Sequence, residues 1–155
     1  MKESKKDNIK DKAIIVDIDG TLADVEHRVH FVQASPKDWK NFNQHMIHDK
    51  INPWCLEIIK KFKKDQYKII LLTGRTDDFQ KDTEEWLEKF NVPFDLLLMR
   101  SESDRREDFE IKKEIYQNSI EPKFDSLFVL EDRLSVVKMW RSLGLTCLQC
   151  DWGDF

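Results

Sequence analysis

The stretch Ala13-Ile14-Ile15-Val16-Asp17-Ile18-Asp19-Gly20-Thr21-Leu22 decides how the rest of the chain is read. Four apolar residues in an unbroken run are the pattern of a strand covered on both faces, as in a parallel sheet. The run stops at an aspartate, and a second aspartate follows two positions later. Residues two apart on an extended chain point to one side, so Asp17 and Asp19 face one pocket if the strand geometry continues. Gly20 then permits a sharp turn. Two crowded carboxylates repel unless a cation or a shared proton stands between them. A hard divalent ion with oxygen ligands meets that need, and Mg²⁺ also suits phosphate substrates. The plain alternative is that the two aspartates cap a turn, where Asp-Gly is common.

Working outward, the same buried-strand pattern recurs at Ile69 to Leu72, Leu96 to Leu98 and Leu127 to Leu130, with Leu145 to Gln149 as a weaker fifth strand. Helical stretches lie between them. Asn52-Pro53 opens one, with Trp54, Ile58, Ile59 and Phe62 on a single face. Asp77 to Phe90, Phe109 to Asn118 and Ser135 to Leu143 follow, the last stopped by Gly144. Alternating strands and helices predict an α/β fold: a Rossmann-like, doubly wound parallel sheet of about five strands with helices on both faces. Asp24 to Lys50 breaks the repeat, so a small helical cap insert is expected at about 24–50, with a helix around Lys37 to Met46. Residues 1–12 are mostly charged and amide, expected as a disordered tail, leaving 13–155 as one domain.

Three further clusters follow the apolar runs. Thr73-Gly74-Arg75 supplies a hydroxyl, a backbone amide and a guanidinium at a strand end, all able to hold phosphate oxygens. Lys112 and Lys113 sit early in the fourth helix, where adjacent residues diverge by about 100° and only one can point inward. Glu131-Asp132-Arg133 places a second acidic pair after a strand. Its plain alternative is a helix cap.

Asp-Ile-Asp-Gly-Thr from Asp17 to Thr21 resembles the first motif of the haloacid dehalogenase phosphatases, and the other three clusters match the later motifs in order. The resemblance implies that Asp17 attacks phosphorus, that Asp19 acts as acid and then base, and that Thr73 contacts the transferring phosphoryl group. It further implies that Lys112 bridges nucleophile and phosphate, and that Asp17, Asp19 and Asp132 hold Mg²⁺. Glu131 and Arg133 would support that ligand set from behind. From Asp95 to Phe155 the chain also resembles the phosphatase domain of phage polynucleotide kinase-phosphatases, in Asp104-Arg105-Arg106-Glu107-Asp108, in Val136-Val137-Lys138-Met139-Trp140-Arg141 and in Trp152-Gly153-Asp154-Phe155. That closer likeness implies substrate-phosphate contacts from Arg28 and Arg75, an orienting role for Asp108 toward one of those two cations, and a place at the site's mouth for Arg100.

The implied activity is a Mg²⁺-dependent 3′-phosphatase on nucleic-acid ends. A nucleotidase or general small-molecule phosphatase is the alternative, and a non-catalytic scaffold a second. A scaffold has no physical need for so many repelling carboxylates. The relatives carry a P-loop kinase, but no Gly-x-x-x-x-Gly-Lys-Ser/Thr string occurs here, so a kinase or ligase partner would be separate. The net charge of −4 argues against a general polyanion binder. The three cysteines read as reduced thiols, and no apolar run nears the roughly 18 residues of a membrane span, which together predict a cytoplasmic protein. His27, His30, His45 and His48 form two His-x-x-His pairs, read as cap residues rather than a metal site. Cys147 and Cys150 read as core thiols. Phe31, Trp39 and Phe42 offer rings for a nucleobase, but filling the cap's own small core is the favoured reading.

Overall fold

The protein is described by a computed structural model covering residues 8–155. The first strand, β1 (Asp11–Val16), takes in the last two residues expected in the charged tail, because Asp11 and Lys12 pair with Phe124 and Asp125 at the start of β6 (Phe124–Glu131). Of the rest of that expected tail, residues 8–10 are exposed without regular structure, and residues 1–7 lie outside the described residues. β4 (Lys68–Thr76), β5 (Leu96–Arg100) and β7 (Cys147–Gln149) complete a five-stranded sheet of order β5-β4-β1-β6-β7, parallel throughout. The chain runs outward from β1 through β4 to β5, then returns to the other side of β1 for β6 and β7. β1 and β6 therefore flank the point where winding direction reverses, the place where such sheets bind ligands beyond their carboxyl ends.

The unbroken apolar runs are explained by burial on both faces. Ile14 and Val16 pack with Ile69 and Leu71 into one core, against α3 (Pro53–Lys64) and α4 (Gln80–Lys89). Ala13 and Ile15 pack with Ile70 and Leu72 into the other, against α5 (Asp108–Ile115) and α6 (Leu134–Ser142). Each fully buried Ile or Leu contributes roughly 1.5–3 kcal/mol, so these four-residue stretches anchor both layers at once.

On α3 the expected inward face shifts by one residue. Cys55 and Ile59 are buried while Trp54 is 42% exposed, because the stripe runs 55, 59, 62 and Trp54 stands about 100° away from it. Asn52, ahead of Pro53, gives no side-chain cap; its Nδ2 donates to the Thr21 carbonyl at 2.8 Å and ties α3 to the turn after β1. α5 opens with a reciprocal capping box between Glu107 and Glu110, and its last expected turn continues as a wider turn over Tyr116–Ile120.

The insert is a small two-stranded ribbon with helical turns above it. β2 (Ala23–Asp24) pairs antiparallel with β3 (Lys50–Ile51). Between them lie short turns at Glu26–Arg28 and His45–His48, α1 (His30–Gln33) and α2 (Trp39–Gln44), the last inside the expected helix and capped by the Asp38 side chain. No helix among the described residues is long and apolar enough to cross a membrane.

Candidate active site

β1 delivers Asp17 to the carboxyl end of the sheet, and the backbone amide of Asp17 still donates to Leu130 of β6 at 3.0 Å. The aspartate is thereby fixed by main chain and is only 5% exposed. β6 ends at Glu131, with Asp132 next, so the reversal point sets three buried carboxylates together. One oxygen from each of Asp17, Glu131 and Asp132 lies within 4.8 Å of the others.

α5 adds the cation. Lys112 is 2% exposed and its Nζ donates to Asp17 Oδ1 at 2.7 Å and Glu131 Oε2 at 2.9 Å; Lys113 faces solvent. Burial favours the neutral amine, yet Asp108, Asp17 and Glu131 hold the Lys112 pKa well above its ordinary value. One ammonium does not balance the cluster. Burial, and then Glu131, push the Asp17 carboxyl up to about 7 despite Lys112. Burial, followed by Asp17 and Glu131, pushes Asp132 up to about 10. Among the described residues, Asp132 Oδ2 is buried without a hydrogen-bond partner. A Cβ on Gly20 would fall 2.1 Å from that oxygen, so the glycine, at φ +85°, leaves room for the carboxylate. A crowded all-oxygen set with an orphaned carboxylate oxygen fits a hard divalent cation such as Mg²⁺.

Asp19, expected as a side-chain metal ligand, is not in this cluster. Its Oδ1 accepts from Arg28 Nη2 at 2.6 Å and Arg75 Nη2 at 2.7 Å. Burial alone would raise its pKa, but Arg75 and Arg28 outweigh that and hold it well below the usual carboxylate range. Glu131, expected to stand behind the ligands, is a member of the cluster instead.

Arg28, expected to meet substrate phosphate, is fully buried: its Nε and Nη2 donate to Asp49 Oδ1 and Oδ2 at 2.7 and 2.6 Å, and Nη1 donates to the Phe42 carbonyl. Arg75 reaches the same Asp49 at 3.3 Å and also lines the adjoining cavity. Asp49 itself is 1% exposed and faces His27 Nε2 at 2.7 Å as well. Nothing in the sequence marks it: a single aspartate in a segment without a motif becomes the counter-ion of two buried arginines only once the ribbon closes.

The cavity, about 520 Å³, opens over this group. Asp17, Thr73, Gly74, Asp108, Asp132 and Arg133 are on its wall. Thr73 Oγ1 accepts from the Arg75 amide at 3.1 Å. A Cβ at Gly74 would meet Asp108 Oδ1 at 2.4 Å, so the glycine admits the close approach of Asp108. Asp108 pairs with Arg100 at 3.2 Å and with Lys112 at 3.5 Å, orienting those two cations rather than Arg28 or Arg75. Arg133 Nη2 donates to the Phe155 carbonyl at 2.9 Å, which turns the chain's last described residue into the cavity wall.

Sequence and fold similarities to known proteins identify the family. Residues 11–155 match the family described as polynucleotide kinase PNKP phosphatase domain. A protein of Autographa californica nuclear polyhedrosis virus, named for a bifunctional polynucleotide kinase/RNA ligase, is 27% identical over 136 residues, covering 86% of this chain and 18% of its own length. Chains solved in Pnkp1/Rnl/Hen1 complexes superpose with TM-scores of 0.82 and 0.80 at 36% and 37% identity, across 99% and 100% of this chain. The first of these is titled an RNA repair complex. This chain spans about half of each solved counterpart, 48% and 53%. A class C acid phosphatase from Bacillus anthracis shares the fold at 20% identity and TM-score 0.65, covering 84% of this chain and 55% of its own.

Proposed function

This chain belongs to the polynucleotide kinase PNKP phosphatase domain family and is a phosphatase of haloacid dehalogenase type, and from that premise we propose that it removes the 3′-phosphate from nucleic-acid ends. The observation that carries the reading is Asp17, on the wall of a cavity large enough for a nucleotide, with the buried Lys112 ammonium 2.7 Å behind it. The likeness to a chain of an RNA repair complex supports the choice of nucleic acid.

In the first step an Asp17 oxygen attacks phosphorus, and the bond from phosphorus to the 3′ oxygen breaks. As substrate binds, the ties of Asp19 to Arg28 and Arg75 loosen, Asp19 takes up a proton from solvent, and it passes that proton to the leaving oxygen. In the second step water attacks the aspartyl-phosphate; Asp19 takes the proton, phosphate departs and Asp17 is restored. The ionised state that the two arginines impose on Asp19 suits this base role. Lys112 offsets repulsion between nucleophile and phosphate, while Thr73 and the Gly74 amide hold phosphoryl oxygens. Asp17, Glu131 and Asp132 would hold Mg²⁺, which when bound neutralises charge on the phosphoryl group. Dividing the displacement in two lowers each barrier. A kinase and a ligase acting on the same ends are proposed as partners, carried on other segments or chains.

The cavity volume also admits a mononucleotide, which keeps a nucleotidase as the second reading. Phosphate release separates them, measured with Mg²⁺ and with EDTA on a 3′-phosphorylated oligonucleotide, its 5′-phosphorylated counterpart and the matching mononucleotides. Release from the 3′-phosphorylated oligonucleotide, lost in Asp17→Asn, supports end healing. Equal or faster turnover of mononucleotides moves the assignment to a nucleotidase.

A further inference from the structure

Among the cavity-wall side chains this chemistry does not use, one is a half-exposed aromatic ring. Trp39 opens α2 and lines the cavity, yet 41% of it is exposed. A ring that filled the insert's own core would be buried as Phe42 is, at 2%. Trp39 is also held in place. It meets Phe42 edge-to-face at 5.6 Å, Phe42 packs on Phe155 at 5.7 Å, and the Arg28 guanidinium covers the Phe42 ring at 4.0 Å. That guanidinium is the one that grips Asp19, so the indole and the reacting carboxylates share one rigid frame.

The charges around the ring suit the same occupant. Lys37 Nζ stands 5.4 Å from the Trp39 ring, and Arg105 lines the same cavity. Among the described residues neither has an ion-pair partner, whereas Arg106 is taken by Asp104 and Glu114 and Arg100 by Asp108. A fixed, half-exposed indole with two free cations about it is the chemistry of a nucleobase platform with a phosphodiester beside it.

We propose that Trp39 stacks on the base of the phosphate-bearing terminal nucleotide, with Lys37 and Arg105 meeting the next phosphodiester. This rests on the 3′-end reading and deepens it: the insert selects for a nucleoside next to the phosphate.

The test compares wild type, Trp39→Ala, Trp39→Phe and Ile47→Ala. Ile47 is a control, 46% exposed on the insert and outside the cavity lining. Turnover is measured on a 3′-phosphorylated oligonucleotide and on the same strand with an abasic 3′-terminal nucleotide. Stacking of one base predicts that Trp39→Ala cuts the preference for the base-bearing strand about 10- to 100-fold, that Trp39→Phe keeps most of it, and that Ile47→Ala leaves it as in wild type. Binding of the base-bearing strand is followed in parallel in an Asp17→Asn background by tryptophan fluorescence, with the Trp39→Phe change identifying the responding indole. Equal losses on both strands, or quenching that survives Trp39→Phe, overturn the stacking inference while the 3′-phosphatase reading stands. Trp39-dependent binding with no turnover by wild type overturns the 3′-phosphatase reading and leaves the platform in place.

Discussion

Asp132→Asn should make the metal-free protein more stable while abolishing its activity. In the folded chain without a cation, burial and two neighbouring carboxylates keep Asp132 protonated at pH 7, with its pKa pushed from 3.8 to about 10. The unfolded chain has released that proton. Holding it at pH 7 costs 1.36 kcal/mol for each unit between 3.8 and 7, or about 4 kcal/mol, and only requires the folded pKa to exceed 7. Asparagine carries no such cost. Allowing for relaxation of the cluster, the variant should gain about 2–4 kcal/mol in EDTA at pH 7, roughly 4–16 °C in Tm for a domain of this size. The sign follows from a raised folded pKa: wild type keeps its full stability below the unfolded value of 3.8 and loses it as pH climbs toward 10. The advantage of the variant should therefore shrink below about 1 kcal/mol at pH 4. It should shrink or reverse in saturating Mg²⁺, which stabilises only the protein that binds it. Urea unfolding at pH 4 and pH 7, with EDTA and with Mg²⁺, measures all of these. A variant no more stable than wild type in EDTA at pH 7, or a gain undiminished at pH 4, would refute the reasoning.

Three other outcomes are expected. Lys112→Ala removes the cation between Asp17 and Glu131 and should lower kcat about 10²- to 10³-fold on a 3′-phosphorylated strand; a fall below tenfold in steady-state kinetics would contradict its role. Asp49→Asn leaves two buried guanidiniums with Asp19 as their one remaining carboxylate, so denaturant unfolding should show a loss of about 3 kcal/mol, and a loss under 1 kcal/mol would show the network to be dispensable. Gly20→Ala puts a Cβ at positive φ against Asp132 Oδ2, and should cost about 1–3 kcal/mol by thermal melting together with a loss of Mg²⁺-dependent turnover; a variant as stable and as active as wild type would sink this account of the turn.

The sheet was legible because a strand buried on both faces must be apolar throughout, and Ala13 to Val16 and Ile69 to Leu72 have no other economical place. The position of Asp17 followed from the same fact, since a carboxylate ending such a strand falls at the sheet's ligand-binding edge. The inward lysine was a different matter. Periodicity allows either Lys112 or Lys113, and the choice came from family resemblance. Asp19 was harder, because the spacing rule describes where a side chain starts and not which partner wins it: Arg28, nine residues on in the insert, and Arg75, 56 residues on in β4, take its carboxylate. Asp49 was invisible for the same reason. Trp54 was misplaced by one position, an error that apolar periodicity cannot detect when Cys55 is as able to be buried.

The ribbon at the base of the insert has an evolutionary consequence. Ala23 pairs with Ile51 and Asp24 with Lys50, so the segment leaves and rejoins the sheet across one strand spacing, about 5 Å. Arg28, which grips Asp19, and Asp49, which pairs with Arg28, stand within a few positions of that ribbon. Between them Phe42 and Met46 also touch the buried arginines, Phe42 through its carbonyl on Arg28 Nη1 and Met46 through its sulfur on Arg75 Nη1; with those two kept, the other positions can lengthen, shorten or be exchanged at the modest entropic cost of a longer loop. On the proposal that Trp39 reads the substrate, recognition and reaction are separable, and grafting residues 29–48 between relatives with Phe42 and Met46 retained is the direct way to trade one substrate preference for another.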